Sequence, residues 1–430
     1  MKFIADFHIH SPHSRAVSKD MTLENLDNWA RIKGIQVMGT GDFTHPAWFS
    51  ELKTKLDLAE QGLYKLRGSS FEATRFLLTV EISSIYKKNG KVRKIHNLIF
   101  APSLEIVGKI NRELNLIGNI KSDGRPILGL DSKDLLKLVL NISPDCLLIP
   151  AHAWTPWFSI FGSMSGFDSI EECFDEYAKY IYAIETGLSS DPAMNWRLSA
   201  LDKITLISNS DSHSLRKIGR EANIFDANLS YIGIAEAIKN PRGDNKMLDT
   251  IEFFPEEGKY HYDGHSAHQI RYSPEETKKH QGICFSCGRS VTVGVMSRVE
   301  KLADRPVGFH PNSAVSYKSL VPLEEIIAEA LGLAGVHSKA VNENYQNMIG
   351  VFGNEFKILL EASIEEIEKA SKPEIAEGIR RVRERKLRIE PGYDGEFGKV
   401  KIFEKDELKK RFKAEKHASL FCSSMGVELP

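Results

Sequence analysis

Seven short apolar runs in the first half of this 430-residue chain each end at a residue that can bind a metal ion. Runs of four to eight apolar residues that alternate with helical stretches are typical of buried parallel strands in βα units. In chain order, the residues at the ends of the runs are His8 with His10, Asp42 with His45, Glu81, His96, His152, Glu185, and Asp211 with His213. Functional side chains of a (β/α) barrel lie at the C-terminal ends of its strands, so the order predicts an α/β barrel with a metal-dependent active site.

The length of the chain predicts more than one domain. We expect a catalytic domain over residues 1–240, a small zinc-binding module over 241–312 and a helical C-terminal region over 313–430. The turn-forming cluster Asn240–Asp244 supports the first boundary. Between residues 260 and 311 the chain is rich in His, Gly, Pro and Ser, which favours a module held by an ion rather than by an apolar core.

Charge and cysteine content indicate the setting in which the protein works. The net charge of −1 excludes a chain that is basic throughout, although one basic face remains compatible with it. We see no secretory leader and no apolar segment long enough to span a bilayer, so no membrane partner is expected. Five cysteines, of which only Cys284 and Cys287 are close in sequence, argue against a disulfide scaffold and for a cytoplasmic protein.

Residue spacing and burial predict how the metal site is built. Side chains two residues apart on a strand point the same way, so His8 and His10 can share one ion. An unpaired carboxylate after an apolar run would be costly, and Glu81 is therefore expected to bridge two ions. His96 and His152 could complete the second ion, and Asp211 and His213 repeat the two-residue spacing. Such mixed ligands suit zinc, manganese or iron(II) better than magnesium or calcium alone.

Each short motif has a structural alternative, because a single His-x-His is as often a surface or core pair as a metal site. The seven strand ends taken together outweigh that alternative. In this order the motifs resemble the PHP (polymerase and histidinol phosphatase) phosphoesterase domain, a distorted seven-stranded (β/α) barrel with two or three divalent ions (zinc, manganese, iron or magnesium). The resemblance implies catalytic roles for Asp211, Glu81 and His213. It further implies one ion on His8, His10, Glu81 and Asp211, a second on Glu81, His96 and His152, and a third near Asp42 or His45 with His213. The family's usual Asp-His pair is opened here by Phe43-Thr44.

A second set of metal ligands follows the first domain. His265-x-x-His268 and Cys284-x-x-Cys287 have the spacing of two zinc knuckles that close one tetrahedral structural site. Gly288 allows the tight turn that such a knuckle needs. A redox role for the cysteines is the alternative, but no redox βαβ context surrounds them. His261, Asp263 and His280 are nearby substitutes should His268 not bind.

The combination of these motifs identifies a narrower resemblance. A PHP domain followed by Gly258–His265, a Cys-x-x-Cys pair and Arg298–Pro306 is similar to the endonuclease Q family, and so are Gly41–Pro46, Ala151–Phe158 and Pro391–Gly398. The similarity extends over almost the whole chain. It implies a DNA repair endonuclease that uses a metal-activated water to hydrolyse the phosphodiester 5′ to uracil, hypoxanthine, xanthine or an abasic site.

Two further features are compatible with DNA as the substrate. Six cations fall within nine residues, namely Arg380, Arg381, Arg383, Arg385, Lys386 and Arg388, and we predict that they contact phosphates. A solvated helix face is the alternative for such a run. Trp154, Trp157 and Phe158 follow the ligand His152 and could stack on an extruded base, or they could be packing residues under a loop.

Two other functions share some of these features. A small-molecule phosphatase of the histidinol-phosphatase type would have the same metal centre, but it would need neither a zinc module nor a basic stretch. A zinc-dependent DNA-binding protein without activity would not need the complete ligand series. A sliding clamp is a further candidate partner, although Leu420-Phe421 do not form a convincing clamp-binding motif.

Overall fold

The structure is a computed structural model that describes residues 1–70, 72–404 and 407. The chain divides into two compact units. The first comprises Met1–Leu320 with Pro391–Gly398, and the second comprises Val321–Glu390 with Lys399–Pro430. The clamp-motif candidates Leu420 and Phe421 lie outside the described residues.

The described part of the chain contains the following strands and α-helices. The strands are β1 (Lys2–Asp6), β2 (Val37–Gly39), β3 (Leu56–Glu60), β4 (Leu63–Leu66), β5 (Arg75–Lys88), β6 (Lys91–Ala101), β7 (Ile127–Leu128), β8 (Leu147–Pro150), β9 (Ala183–Glu185), β10 (Thr205–Ile207), β11 (Ala222–Asp226), β12 (Lys246–Glu252), β13 (Asp263–His265), β14 (Ile270–Tyr272), β15 (Ser316–Ser319), β16 (Arg388–Glu390) and β17 (Lys399–Lys401). The α-helices are α1 (Leu23–Lys33), α2 (Pro46–Lys55), α3 (Leu104–Ile117), α4 (Ser132–Ile142), α5 (Ile170–Phe174), α6 (Pro192–Asn195), α7 (Tyr231–Lys239), α8 (Pro274–Lys279), α9 (Val295–Leu302), α10 (Leu323–Ala330), α11 (Lys339–Phe352), α12 (Ile364–Ala370) and α13 (Pro373–Arg383).

The main sheet of the first unit is mixed, and this corrects the prediction of an all-parallel strand set. Strands β1, β2 and β5 are parallel neighbours, whereas β6 runs antiparallel to both β5 and β8. On the other side of β1, strand β11 pairs antiparallel with β1, and β12 pairs antiparallel with β11. Strands β9 and β10 form a separate parallel pair. The fold is therefore mixed α/β, and all seven predicted apolar runs do contain a strand.

Strands β5 and β6 form one long hairpin, which was not predicted. Its turn is Asn89-Gly90, and both residues have positive φ (53° and 72°), as a two-residue hairpin turn requires. Glu81 lies opposite Leu98, and His96 lies opposite Ser83, so both predicted ligands are inside their strands. The prediction that they end strands was wrong, because the hairpin continues beyond them.

Alternation along the first strand separates the core from the site. Phe3, Ala5 and Phe7 belong to the main apolar cluster, where the Phe7 ring lies 5.1 Å from Phe100 and 5.9 Å from Phe225. His8 and His10 share the opposite parity and therefore point away from that cluster. The register of the strand is fixed because the face that carries Phe3 and Phe7 is buried in the core. Both imidazoles therefore lie together on the opposite face.

The predicted boundary at residue 240 falls within the first unit rather than between units. Strand β12 pairs with β11 over its whole length, so the chain re-enters the main sheet after the turn cluster. Residues 391–398 also return to this unit: Asp394 accepts hydrogen bonds from the Ser266 amide at 2.7 Å and from the Thr292 hydroxyl at 2.5 Å. The three-domain division stays a prediction.

The described part of the second unit is mainly helical. Leu323, Ile326, Ile327 and Ala330 of α10 are buried. A π-helical turn (Lys357–Glu361) precedes α12. Within the described residues, we find no helix that is both long and apolar enough to cross a membrane.

Candidate metal centre

Four predicted ligands from three parts of the first unit meet in one cluster. The donor atoms of His8, His10, Glu81 and Asp211 all lie within 4.8 Å of one another. His10 Nε2 is 3.1 Å from Asp211 Oδ1 and 3.4 Å from Glu81 Oε2, and His8 Nε2 is 3.5 and 3.6 Å from the same two oxygens. A single cation could therefore be held by two imidazoles and two carboxylates.

Glu81 also belongs to a second cluster, with His96 and His152. Its Oε1 lies 2.6 Å from His96 Nδ1 and 3.0 Å from His152 Nε2, while its Oε2 faces the first cluster. One carboxylate thus presents one oxygen to each donor set. This is the geometry that a bridging ligand between two cations requires.

The chemistry of these residues fits bound cations. His8 Nε2 is buried and has no hydrogen-bond partner, although it faces two carboxylates. Burial lowers the pKa of His8, but Glu185, Asp211 and Glu81 outweigh that effect and raise it well above its ordinary value. Burial likewise opposes ionisation of Glu81, and His96, Arg125 and His8 nevertheless hold its pKa well below the ordinary range. So much buried negative charge calls for cations, which a metal supplies directly.

Asp42 and Glu185 hydrogen-bond to ligand histidines, and their role as metal ligands stays a prediction. Asp42 Oδ1 accepts from His10 Nδ1 at 3.0 Å, and its Oδ2 accepts from the Ser11 amide, the Ser11 hydroxyl and the Ser14 hydroxyl. Glu185 accepts from His8 Nδ1 at 3.1 Å and from the His152 amide at 2.8 Å. Both carboxylates are occupied by these bonds. They orient the imidazoles and fix the ring nitrogen that is left for an ion.

The ligands proposed for a third ion do not gather in the same way. Among the described residues, neither His45 nor His213 joins a cluster of three donors. The His213 ring lies 4.7 Å from that of His10, and its Nδ1 is bonded to the Asp211 carbonyl at 2.9 Å. His45 stacks on His13 at 4.3 Å, and its buried Nδ1 has no partner. A third ion stays a prediction.

Backbone strain is concentrated at this site. Asp42, His152 and Asp211 have φ values of 50°, 30° and 46°, which side-chain-bearing residues rarely adopt. Gly187 sits against His152, and a Cβ there would lie 2.5 Å from the histidine Cβ. Strained residues persist only where surrounding structure over-determines them, which is common at functional sites.

Arg125 is a site residue that the sequence pattern did not indicate. Its Nη1 donates to Glu81 Oε2 at 3.1 Å, and about a quarter of its side chain remains exposed. The predicted ligands are His, Asp and Glu residues after apolar runs, whereas Arg125 lies in a Gly-Arg-Pro turn before β7. A cation beside the donor clusters adds a group that can bind an anionic substrate.

The predicted zinc ligands form a separate cluster of their own. His265 Nδ1 lies 3.2 Å from His268 Nδ1 and 3.4 Å from Cys287 Sγ, and Cys284 Sγ lies 3.6 Å from His268 Nδ1. Burial opposes ionisation of Cys284, but hydrogen bonds from His265 and nearby backbone amides lower its pKa to about 6. Gly288 has a φ of 71° and donates to the Cys284 carbonyl at 2.8 Å, which closes the knuckle turn.

The three predicted aromatic residues lie in different environments. Trp154 is fully buried, donates to Asn195 at 2.7 Å and packs on Phe161, so it is a core residue and not part of a base pocket. Trp157 is 37% exposed. Phe158 is partly buried, and its ring lies 4.7 Å from that of His96.

Most of the predicted DNA-binding cations have partners within the second unit. Arg383 donates to the Leu359 and Ile358 carbonyls at 2.9 and 2.6 Å, and Arg381 bonds to Glu377 and Glu407. Arg380 pairs with Glu377 and Glu384. Arg385, Lys386 and Arg388 are exposed and line a hollow of about 320 Å³ together with Lys401. Lys386 also pairs with Glu384, and Arg388 pairs with Glu390 and Glu404, so phosphate contact by the six cations stays a prediction.

The mixed α/β fold and two donor clusters that share Glu81 define a metal-dependent hydrolase. The lesion-specific endonuclease PfuEndoQ from Pyrococcus furiosus has a similar crystal structure, at 33% identity and a TM-score of 0.83, over 94% of this chain and 96% of that one. Endonuclease Q in complex with a 27-mer duplex carrying an abasic lesion at the active site is 32% identical, with a TM-score of 0.82, over 95% and 98% of the two chains. The chain belongs to the endonuclease Q family, and it is a DNA repair endonuclease rather than a phosphatase.

Sequence comparisons agree with the resemblance inferred from the motifs. The uncharacterized protein MJ0043 of Methanocaldococcus jannaschii is 36% identical over 255 residues, which are 58% of this chain and 31% of that protein. This chain therefore matches less than a third of that relative's length. The uncharacterized protein YqxK of Bacillus subtilis is 29% identical over 415 residues, covering 93% of this chain and 99% of its own. Residues 322–386 match the family model described as the MJ0043 C-terminal domain.

Proposed function

We propose that this enzyme hydrolyses the phosphodiester 5′ to a deaminated base (uracil, hypoxanthine or xanthine) or an abasic site in duplex DNA. The observation that carries the proposal is Glu81, which presents one oxygen to each of two donor clusters in a chain of the endonuclease Q family. One ion on His8, His10, Glu81 and Asp211 and a second on Glu81, His96 and His152 account for all the donors in these clusters.

The chain's own residues have distinct tasks in this reaction. Bound divalent cations would supply Lewis-acid activation of water and stabilise charge on the phosphate. Arg125 lies beside Glu81 and is placed to bind a non-bridging phosphate oxygen, where negative charge increases in the transition state. About a third of the His213 side chain is exposed next to His10, and because its Nδ1–H donates to the Asp211 carbonyl, its Nε2 is free to accept a proton from the attacking water. Asp42 and Glu185 keep the ligand imidazoles in the correct tautomer.

Recognition of the damaged base would require its extrusion from the helix. A duplex hides the base, and a deaminated or missing base costs less to unpair. Phe158 is the aromatic residue placed best for stacking, because its ring lies beside His96. Trp157 is the other candidate, and its ring meets that of Tyr260 at 5.4 Å. Trp154 is excluded by its burial.

Phosphate contacts by the second unit are proposed for a smaller set of residues than the sequence indicated. Arg385, Lys386 and Arg388 keep this role because their side chains are exposed, whereas Arg380, Arg381 and Arg383 are partly buried. Neutralising the first group should weaken binding to damaged and undamaged duplex equally, since phosphate contacts carry no base information.

Other parts of the proposal rest on the family and on the donor sets. We propose a distorted seven-stranded PHP-type barrel as the finer description of the first unit, and a single structural zinc ion on His265, His268, Cys284 and Cys287. Zinc, manganese or iron suits the mixed ligands of the catalytic centre better than magnesium alone. A cytoplasmic location and a clamp partner stay predictions from the sequence.

A direct incision assay tests this function. The purified protein is incubated with a 5′-labelled duplex carrying one uracil, an abasic site or no lesion, and separately with a phosphomonoester. We expect a nick 5′ to each lesion, no nick in the undamaged duplex and no phosphate release. Phosphate release without nicking would establish the phosphatase alternative, and binding without either product would establish a non-catalytic protein. Chelation of the divalent ions should stop the nicking.

A further inference from the structure

A polar pocket lies beside the β5–β6 hairpin of the first unit, and its Arg93 points to the opposite face of β6 from the metal ligand His96. The β5–β6 hairpin continues seven residues beyond Glu81, and Arg93 lies three residues from His96 on its returning strand. At about 3.3 Å per residue, Arg93 is therefore roughly 10 Å along the strand from a metal ligand. The loop after His152 runs beside this strand, where the His96 amide donates to the Phe158 carbonyl and the Lys94 amide to the Ser165 carbonyl.

The pocket between this loop and the hairpin has a volume of about 360 Å³, within the range of roughly 300–1,000 Å³ that ligand sites have. Its cations are Lys91, Arg93, Arg298 and Lys301, and its acids are Asp168 and Glu172. Arg298 is already used, because it donates to the Phe161 and Phe167 carbonyls and to Asp168. The remaining three cations face one remaining acid, Glu172.

Two buried polar atoms of the lining have no partner. Arg93 is 92% buried, and its Nε has no hydrogen-bond partner, although its Nη1 donates to the Gly166 carbonyl. Its guanidinium carbon is held 4.0 Å from the centre of the Phe167 ring, so the group cannot turn freely to water. The Ser163 hydroxyl is also buried without a partner. Leaving such donors unpaired costs free energy unless a ligand accepts from them.

We infer that this pocket binds a phosphate of the DNA backbone other than the scissile phosphate. The Arg93 Nε–H and the Ser163 hydroxyl would donate to phosphate oxygens, and Lys91 and Lys301 would supply long-range attraction. The inference rests on the proposed function for the identity of the ligand, whereas the anion site itself follows from the buried donors. It assigns phosphate binding to the first unit as well as to the basic stretch of the second unit.

The test uses the exposed lysines, since substitution of buried Arg93 could disturb the fold. Lys91→Gln with Lys301→Gln removes two charges at the pocket. Lys203→Gln with Lys239→Gln is the matched control, because these exposed lysines lie next to the start of β10 and at the end of α7, away from the pocket. Affinity for an undamaged duplex is measured from 50 to 300 mM salt.

We expect the pocket variant to bind the duplex roughly five-fold more weakly at 0.15 M salt for each lysine–phosphate interaction that the substitutions remove. The slope of log affinity against log salt should become shallower by about one for each such interaction. Arg93→Lys, which keeps the charge but removes the Nε–H, should weaken binding without the full change in slope. The control pair should match the wild type. Wild-type affinity and slope in the pocket variant would overturn the inference.

Two further measurements distinguish a failure of the pocket assignment from a failure of the proposed function. Inorganic phosphate that raises the melting temperature of the wild type but not of the pocket variant, with DNA affinity unchanged, would show a free-phosphate site and overturn the DNA assignment. Incision of a uracil duplex by the wild type is recorded in the same series. If the wild type incises normally and the pocket variant binds DNA as the wild type does, only the pocket assignment is disproved. If the pocket variant loses DNA binding but the wild type does not incise, only the proposed function is disproved.

Discussion

The two sets of metal ligands in the first unit are built in opposite ways. Glu81 projects from strand β5, and His8 and His10 follow strand β1; each is 1% exposed, and buried carboxylates orient the two histidines. In the zinc-type cluster, His268 and Cys287 are exposed and lie in turns next to short strands. The apolar cluster around it contains only Ile270, Tyr272, Cys284 and Val291. We therefore expect the catalytic centre to be preorganised by the sheet and the proposed zinc module to depend on its ion for order.

The sharpest test of this contrast removes a ligand from the catalytic centre. Asp211→Asn deletes one of the charges that hold the first ion, so incision of a uracil duplex should fall to background. The melting temperature should remain near that of the wild type, because Asp211 is partly exposed and the sheet supports the other ligands. Unfolding of this variant would show that the centre is not preorganised, and near-normal incision would remove Asp211 from the ligand set.

The corresponding change in the zinc module should have the opposite outcome. Cys284→Ser should lose one equivalent of zinc by elemental analysis and open residues 260–311 to hydrogen exchange, since structural zinc supplies folding free energy directly. The main sheet should stay protected. Ser286→Ala, at an exposed position within the same knuckle, is the matched control and should retain the metal. Full zinc content in Cys284→Ser would exclude the cluster as a zinc site.

A smaller effect is expected when an orienting residue is changed. Asp42→Asn should reduce incision or metal affinity by roughly 10- to 100-fold, because it weakens the bond that fixes His10 without removing a ligand. Glu185→Gln should behave in the same way through His8. The number of bound ions should not change in either variant. Loss of one equivalent of metal in Asp42→Asn would instead support the third-ion ligand set predicted from the sequence.

The last prediction concerns stability rather than catalysis, through Glu252 of strand β12. Burial raises the pKa of Glu252 from 4.5 to about 8, although bonds from Thr250, Thr186 and Ser208 oppose that rise. Between pH 4.5 and about 8 the Glu252 carboxyl keeps its proton in the folded state, whereas it is ionised in the unfolded state. Its contribution to the free energy of unfolding is therefore fully present below pH 4.5 and is lost as the pH rises to about 8. The rise in pKa corresponds to roughly 3–5 kcal/mol.

Glu252→Gln removes this titration. The free energy of unfolding, measured with denaturant at pH 5 and at pH 8, should therefore differ less between the two pH values than in the wild type. Glu275→Gln, at an exposed position, is the control and should keep the wild-type difference. A variant that loses stability equally at both pH values would show that the carboxylate is ionised in the fold and that its hydrogen bonds outweigh its burial.

Much of the site could be predicted from the sequence, because strand parity and strand-end position are local properties. His8 and His10 were placed correctly by a spacing of two, and the Cys-x-x-Cys pair was found by its own spacing. Other features were misread. His96 was assigned to a strand end, although the Asn89-Gly90 dipeptide is a hairpin signal that would have placed it inside a returning strand.

The roles of chemically equivalent residues could not be separated in this way. Asp42 and Asp211 both follow apolar runs, yet one orients a histidine and the other joins the donor cluster. The difference depends on Ser11 and Ser14, which occupy the second oxygen of Asp42 and have no metal-binding pattern of their own. Arg383 and Arg385 are two residues apart in one basic run, and only the fold shows that Arg383 binds the carbonyls of a neighbouring helical turn.

The sequence by itself determined which donors exist, the family that they indicate and the face of each strand on which they lie. Periodicity and ligand spacing are properties of residues that are close in sequence, so they can be recognised without coordinates. Only the tertiary structure decided which donors lie close enough to share an ion, which carboxylates bond to the imidazoles, and that Arg125 borders the site. Those outcomes depend on the hairpin register and on contacts between residues far apart in the chain, where small differences in distance decide which partner is bound.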